Sequence, residues 1–181
     1  LPMAHSVSEA TDGAFDITVA PLVNAWGFGF KNGQLPTDAQ VDSLRTLVGY
    51  KGITFGNGLI HKENPGTVID LSAIAKGFGT DQVANLLMEH GVKDFMVEIG
   101  GEIVSRGNNP KGKAWHIGIN RPVEDSTGTN NEIQEVIEVH NRAMATSGNY
   151  RNYYTTEDGR KVSHTIDPST GRPVQHSLLS T

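Results

Sequence analysis

The alternation of apolar and polar residues predicts short helices mixed with pairs of strands. A helix is indicated at residues 35–48, where apolar residues recur at helical spacing and Thr37 is followed three residues later by Gln40, a capping-box pattern. Two short strands are predicted at 52–55 and 59–61, joined by a glycine-rich turn. Short helices combined with antiparallel hairpins predict an α+β fold with a mixed, largely antiparallel sheet and packed helices.

The stretch at residues 68–102 is the organising element of the chain. Its start, Val68 and Ile69, predicts a short buried strand that ends at Asp70. A helical pattern follows at 73–90, and a second apolar strand is predicted at 95–99. We expect this strand–helix–strand arrangement to place a helix N-terminus beside a strand end, where backbone dipoles hold a phosphate or position a cation.

The central helix has a predicted cap and a predicted core face. Ser72 is the expected N-cap, and Gly91 is a natural stop. The apolar residues expected to face the core are Ile74, Phe78, Val83, Leu86 and Leu87. Gly77 and Gly79 each cost about 1 kcal/mol relative to alanine inside a helix. Such glycines are tolerated where a ligand must approach the backbone.

The chain after Glu102 has a β pattern. Strands are predicted at 102–106, 114–120 and 132–140, and the last does not alternate cleanly, which predicts a bulge. The connection at 124–131 is polar. Further turns are predicted by Glu157-Asp158-Gly159 and by the Asp-Pro and Thr-Gly pairs within His164–Pro173.

Residues 11–29 form an unusually apolar segment with the character of a loop. The sequence TDGAFDITVAPLVNAWGFG combines aromatic residues with glycines. Such a loop either lines a pocket or is buried under the core, and burial is the favoured interpretation.

The amino-acid composition excludes several classes of function. The chain has 181 residues, 36% of them hydrophobic and 19% charged, which fits one globular domain. The formal net charge is −5 and the basic residues form no run, so a nucleic-acid partner is not expected. Without cysteine, disulfides, thiolate metal sites and cysteine nucleophiles are excluded. No stretch approaches the roughly 20 apolar residues of a membrane span, and no signal peptide is recognisable.

Several polar residues are candidates for chemistry, each with a structural alternative. His164 precedes a turn that contains Asp167, while none of the seven histidines has zinc-helix spacing. Asp16 and Asp70 each follow apolar residues, and a buried carboxylate must be paired, hydrogen-bonded or metal-bound. Asp70 is alternatively a helix cap. Lys76 lies in the first turns of the central helix, where the dipole disfavours a cation, so it either serves an anionic ligand or reaches solvent.

Five segments, in this order, resemble the ApbE family of FAD:protein FMN transferases, formerly called thiamine biosynthesis lipoproteins. The segments are TDGAFDITVAPLVNAWGFG, IDLSAIAKGFGTD, VEIGGEIVSRG, ATSGNYRNYY and SHTIDPSTGRPV. The resemblance implies Mg²⁺-dependent transfer of FMN from FAD to a threonine hydroxyl of a target protein, with release of AMP. The implied targets are subunits of membrane redox complexes.

The resemblance also implies roles for individual residues. The residues expected to contact FAD are Ala14, Phe15, Asp16, Asp70, Lys76 and Ile166. Ala73 matches a metal-coordinating position, here through its backbone carbonyl, and His164 matches the histidine that assists the incoming hydroxyl. We therefore expect the Ala14 loop, the start of the long helix and the His164 turn to meet around one nucleotide.

The family pattern includes residues on both sides of the stretch from Leu1 to Thr181 that this chain matches. The family's remaining magnesium ligands, an Asp and a Thr, are expected after Thr181, and its lipid-attachment cysteine before Leu1. Residues 1–181 are thus predicted to be the central fragment of a single transferase domain, truncated at both ends, which binds flavin weakly or not at all and is inactive alone. The implied location is the periplasmic side of the bacterial inner membrane, held only through the lipid anchor.

Two other functions share the same predicted site. In a Mg²⁺-dependent FAD pyrophosphatase, water replaces threonine and the products are FMN and AMP. A non-catalytic flavin-binding module retains FAD intact in the presence of Mg²⁺. Product analysis with and without a target protein separates all three.

Overall fold

The computed structural model describes residues 1–29, 35–123, 132–150, 152–156 and 158–181. These residues form two compact units. The first unit comprises Leu1–Leu71 and Asn152–Ser177, and the second comprises Ser72–Arg151 and Leu178–Thr181. Each unit combines helices with strands that pair antiparallel, which confirms the α+β class. No helix in the described part of the chain is long and apolar enough to cross a membrane.

In its described residues, the first unit holds three α-helices, one 3-10 helix (Tyr50–Gly52) and three antiparallel strand pairs. The helices are α1 (Pro2–Ala10), α2 (Ala20–Ala25) and α3 (Asp38–Arg45). The paired strands are β1 (Ile53–Gly56) with β2 (Leu59–Lys62), β8 (Tyr153–Thr155) with β9 (Lys161–Ser163), and β10 (Ile166–Asp167) with β11 (Arg172–Pro173).

The described residues of the second unit form one long helix and two sheets. The helix is α4 (Ser72–Glu89), and the first sheet has the order β3 (Phe95–Ile99), β4 (Glu102–Arg106), β7 (Ala143–Met144). The second sheet pairs β5 (Trp115–Asn120) with β6 (Ile133–Val139).

The capping box and the glycine pair in the sequence correctly predicted the position of α3 and of the β3–β4 hairpin. Thr37 caps α3 through the predicted capping box, accepting from the Gln40 backbone N–H at 3.3 Å. The helix is shorter than the predicted span 35–48. The turn between β3 and β4 consists of Gly100 and Gly101, with φ of +57° and +97°, a backbone conformation that glycine adopts without a steric penalty.

The apolar segment 11–29 is buried, as favoured, but it is not purely a loop. It contains α2, whose Leu22 is fully buried, and Trp26 follows at the helix end. Both residues pack in a core with Val41, Val162 and Ile166. The stretch predicted as a loop thus contains a short helix, and the helical spacing of Val19, Leu22, Val23 and Trp26 was the signal for it.

The predicted core face of α4 is wrong in three positions. Phe78, Val83 and Leu86 are 65%, 40% and 52% exposed, whereas the buried residues of the helix are Thr80 and Ala84. Small side chains let α4 lie close against β3 and β4. The helix begins at Ser72 itself, so that residue is the first helical residue rather than the residue before the helix.

The strand predicted at Val68 and Ile69 is absent. Both residues lie outside the strands of the described chain, and Val68 is 51% exposed. The predicted strand–helix–strand unit is therefore only a helix followed by a strand, although the end of β3 does lie beside the early turns of α4, where the Lys76 Nζ donates to the Gly100 carbonyl. An apolar pair alone cannot form a strand without a partner to complete its hydrogen bonds.

The predicted bulge is confirmed in the β5–β6 pair. Ile119 pairs with Glu135, but the next residue, Asn120, pairs with Ile133, so the register shifts between them. The polar connection 124–131 and Glu157 of the predicted hairpin turn lie outside the described residues. Ile103, Ile117 and Val139 form the core of the second unit.

Candidate active site

The buried carboxylate of Asp16 holds its loop against the turn at residues 49–50. Its Oδ1 accepts hydrogen bonds from the Thr18 backbone N–H at 2.7 Å and from the Thr18 hydroxyl at 2.6 Å. Its Oδ2 accepts from the Tyr50 backbone N–H at 3.0 Å. A buried carboxylate needs such donors, and here the protein supplies them. The Asp16 side chain therefore organises the loop.

Asp70 lies beside this loop. Its backbone N–H donates to the carbonyl of Ile17 at 2.7 Å, which joins two of the predicted site segments within the first unit. Ala14, on the same loop, is exposed, and Phe15 is half-buried. The loop thus presents Ala14 and Phe15 to solvent while Asp16 and Ile17 fix its course.

The backbone orients the imidazole of His164. Its Nδ1 lies 3.2 Å from the Asn152 carbonyl oxygen, and the His164 backbone N–H donates to the same oxygen at 3.2 Å. A carbonyl oxygen only accepts, so Nδ1 carries the proton in this contact. The neutral ring consequently has its lone pair on Nε2, which is the form that a general base requires.

The aromatic ring of Phe28 lies between the His164 imidazole and the ring of Tyr154 in a chain of ring contacts. The Phe28 ring lies 6.2 Å from the imidazole, edge to face, and 5.3 Å from the Tyr154 ring, centroid to centroid. The Tyr154 hydroxyl donates to the Trp26 carbonyl at 3.0 Å, and partial burial raises the pKa of Tyr154. The indole N–H of Trp26 donates to the Gly171 carbonyl at 2.8 Å, which ties α2 to the β10–β11 hairpin.

Ile166 and Asp167 sit in that hairpin. The Ile166 side chain is 7% exposed and belongs to the core of the first unit, so only its backbone is free to face a ligand. Burial alone raises the pKa of Asp167, but hydrogen bonds from Ser169 and Thr170 outweigh it and hold that pKa below its ordinary value. The charged Asp167 therefore stabilises the turn.

Lys76 and Ala73 lie on α4 in the second unit. The Lys76 Nζ is 2.7 Å from the Glu102 Oε2, an ion pair rather than a directed hydrogen bond, and donates to the Gly100 carbonyl at 3.0 Å. This pairing explains how a cation is tolerated near the helix N-terminus. Ala73 is exposed in the first turn of α4.

The structure thus brings some predicted residues together. Ala14, Phe15, Asp16, Asp70, His164 and Ile166 belong to the first unit, and Ala73 and Lys76 to the second. The meeting of all three segments around one nucleotide stays a prediction. Among the described residues, no group of three or more His, Asp or Glu side chains is arranged to hold a metal ion.

Sequence reasoning missed a cleft inside the second unit. This second-unit cleft has a volume of about 640 Å³ and lies between the β3–β4–β7 sheet, β5 and the segment 146–150. Two of the family-like segments, VEIGGEIVSRG and ATSGNYRNYY, contribute to its walls. Their small residues and glycines were the available signal, since such residues leave space beside the backbone.

A family model described as the ApbE family matches residues 1–181. The chain belongs to the ApbE family. Curated ApbE relatives named FAD:protein FMN transferase are similar to it over nearly its whole length. The protein from Vibrio cholerae is 44% identical over 172 residues, covering 94% of this chain and 50% of the relative. The protein from Haemophilus influenzae is 42% identical over 186 residues, covering 99% and 53%.

Solved ApbE structures have a similar fold. The flavin transferase ApbE from Vibrio cholerae superimposes with a TM-score of 0.85 at 42% identity, covering 98% of this chain and 55% of that one. The apo form of the Pseudomonas stutzeri flavinyl transferase ApbE gives a TM-score of 0.85 at 34% identity, covering 99% and 54%. The chain spans about half the length of the curated relatives it matches.

Proposed function

We propose that this chain serves in an FAD:protein FMN transferase, which moves FMN from FAD to a threonine hydroxyl of another protein and releases AMP. The observation that carries the proposal is the name shared by its curated relatives, two of which are 44% and 42% identical over 94% and 99% of the chain. The oriented imidazole of His164 is consistent with this chemistry.

The loop at Ala14–Asp16 and Asp70 are proposed to contact FAD. The backbone bond from Asp70 to Ile17 supports this, because it fixes the two segments side by side. Since the Asp16 carboxylate is already hydrogen-bonded to Thr18 and Tyr50, its loop meets the flavin through backbone groups and through the Phe15 ring. Aromatic rings stack favourably on flat heterocycles.

His164 is proposed as the general base. The threonine oxygen attacks the phosphorus of the FMN phosphate, and its proton passes to Nε2 of His164. A new oxygen–phosphorus bond forms, the bond from that phosphorus to the bridging oxygen breaks, and AMP leaves with the bridging oxygen. A hydroxyl is a weak nucleophile at neutral pH, so a base positioned in this way accelerates attack.

Lys76 is proposed to contact the diphosphate of FAD, exchanging part of its pairing with Glu102 for the anionic ligand. Magnesium dependence, with Ala73 near the metal, enters the proposal through the family resemblance alone, because the described residues contain no metal cluster. A membrane redox subunit as acceptor and a periplasmic location are likewise proposed from the resemblance.

The test uses the natural full-length protein with FAD, magnesium chloride and a purified threonine-bearing redox subunit. Expected products are AMP and protein-bound FMN in equal amounts, measured by chromatography and by flavin fluorescence of the denatured acceptor. Release of free FMN without labelled acceptor would instead identify a pyrophosphatase. Intact FAD after prolonged incubation would identify a binding module.

A further inference from the structure

We propose that the second-unit cleft binds an extended segment of the acceptor protein. This inference rests on the proposed function, because it names the place where the protein substrate of that reaction docks. The lining residues of the cleft all belong to the second unit, whereas the predicted FAD contacts Ala14, Phe15, Asp16, Asp70 and Ile166 belong to the first unit.

The strands β3 and β5 line the cleft in two different ways. From β3, the alternate residues Met96 and Glu98 line it, as expected for one face of a sheet. From β5, the consecutive residues 116–120 line it, which occurs when the edge of a strand is turned towards the space. In the described part of the chain β5 pairs only with β6, so its second edge offers backbone donors and acceptors to the cleft. Extended peptides bind to such edges.

Another part of the cleft lining, formed by residues 147–148 and 180, is already held in an extended conformation. Ser147 and Thr181 exchange backbone hydrogen bonds of 2.9 and 2.8 Å, and the Asn149 N–H donates to the Leu179 carbonyl at 2.9 Å. Gly148 forms an antiparallel bridge with Ser180, and both of these residues line the cleft. A second extended segment thus fits between two walls that are themselves extended.

The charge of the lining favours a peptide over a dinucleotide. Among the described lining residues Glu98 is the one carboxylate, and there is no lysine or arginine to receive a diphosphate. Thr146, Ser147 and Tyr150 add hydroxyl groups. Apart from His116, the described lining has no side chain that can become cationic to receive a diphosphate, whereas the exposed carboxylate of Glu98 can pair with a basic side chain of a peptide.

The size of the second-unit cleft and its position beside Lys76 also suit a segment of the acceptor protein. The five residues 116–120 extend over about 13 Å, enough to accompany about five residues of a peptide strand. The volume of about 640 Å³ is within the range of specific ligand sites. Gly100 lines the cleft, and its carbonyl accepts from Lys76. One end of the cleft therefore adjoins the residue proposed to contact FAD, as required if donor and acceptor are to meet.

The test uses the natural full-length protein, immobilised, and a nonapeptide library with threonine at the centre and random residues elsewhere. Retained peptides are quantified by mass spectrometry, and the FAD dissociation constant is measured by fluorescence quenching. Thr146→Trp fills the cleft and is expected to reduce retention at least tenfold while the FAD constant changes less than twofold. Glu98→Lys is expected to shift retained peptides from basic to acidic composition, and Glu89→Lys, on exposed α4, to leave retention and composition unchanged.

Two results would overturn the inference. One is equal retention by Thr146→Trp with unchanged charge preference in Glu98→Lys. The other is weakened FAD binding with unchanged peptide retention, which would make the cleft a nucleotide site. Cleft-dependent retention by a protein that never flavinylates the peptides would refute the transferase and leave the cleft assignment intact. If Thr146→Trp flavinylated the acceptor at an unchanged rate and with an unchanged acceptor KM, the cleft assignment would be refuted and the transferase function would stand.

Discussion

The imidazole Nδ1 of His164 lies 3.2 Å from the backbone carbonyl oxygen of Asn152, twelve residues earlier in the chain. Because the partner is a carbonyl, the contact selects the tautomer with the proton on Nδ1. The hairpin that positions Asn152 thereby decides which ring nitrogen can accept a proton.

Replacing His164 by alanine should lower the rate of FMN transfer about 10²- to 10⁴-fold. The FAD dissociation constant should change much less, since the ring acts on the acceptor hydroxyl. Single-turnover transfer and fluorescence quenching measure the two quantities. The exposed His61→Ala on β2 serves as the matched control. Equal transfer rates for His164→Ala and the parent protein would remove the base role.

Replacing Asp16 by alanine should lower the free energy of unfolding by about 2–4 kcal/mol. The reason is that the buried donors of Thr18 and Tyr50 lose their acceptor. Urea denaturation measures the change. The control is Asp42→Ala, which removes only an exposed pair with Arg45 at 3.5 Å and should cost less than about 1 kcal/mol. A similar small loss for Asp16→Ala would contradict its organising role.

Replacing Glu102 by glutamine should tighten FAD binding about threefold to tenfold at low salt. The substitution keeps the side-chain shape but removes the charge that neutralises Lys76, leaving the ammonium group for the diphosphate. Fluorescence quenching at low and high salt measures the effect, which should shrink as screening increases. The exposed Glu89→Gln should have no effect. An unchanged constant in Glu102→Gln would separate Lys76 from the FAD site.

Replacing Asp167 by asparagine should lower stability at neutral pH and have no effect in strong acid. The folded pKa of Asp167 is held below the ordinary value of 3.8, so its contribution is present above that pH and is lost as the pH falls through the folded pKa. Allowing for solvent screening, we expect a loss of about 1 kcal/mol at pH 7. Urea unfolding at pH 7 and near pH 2 measures both values. A loss of the same size at both pH values would assign the effect to packing rather than charge.

The sequence alone determined the elements that depend on neighbours a few residues apart. The capping box of Thr37 and Gln40 marks the beginning of α3. The glycine pair at 100–101 forms the turn between β3 and β4, and both strands have the predicted bounds. The five family-like segments also gave the family. These signals are readable because turns and caps are satisfied within a single short stretch of chain.

Only the tertiary structure decided which surfaces are buried and which side chains meet. The period of α4 cannot show that Thr80 and Ala84, rather than Phe78, pack inward, because the choice depends on how closely β3 and β4 approach. The partner of Asp16 at Tyr50 lies 34 residues away, and the first unit joins two separate parts of the chain. Such contacts arise from packing across the fold, which a linear pattern does not encode locally.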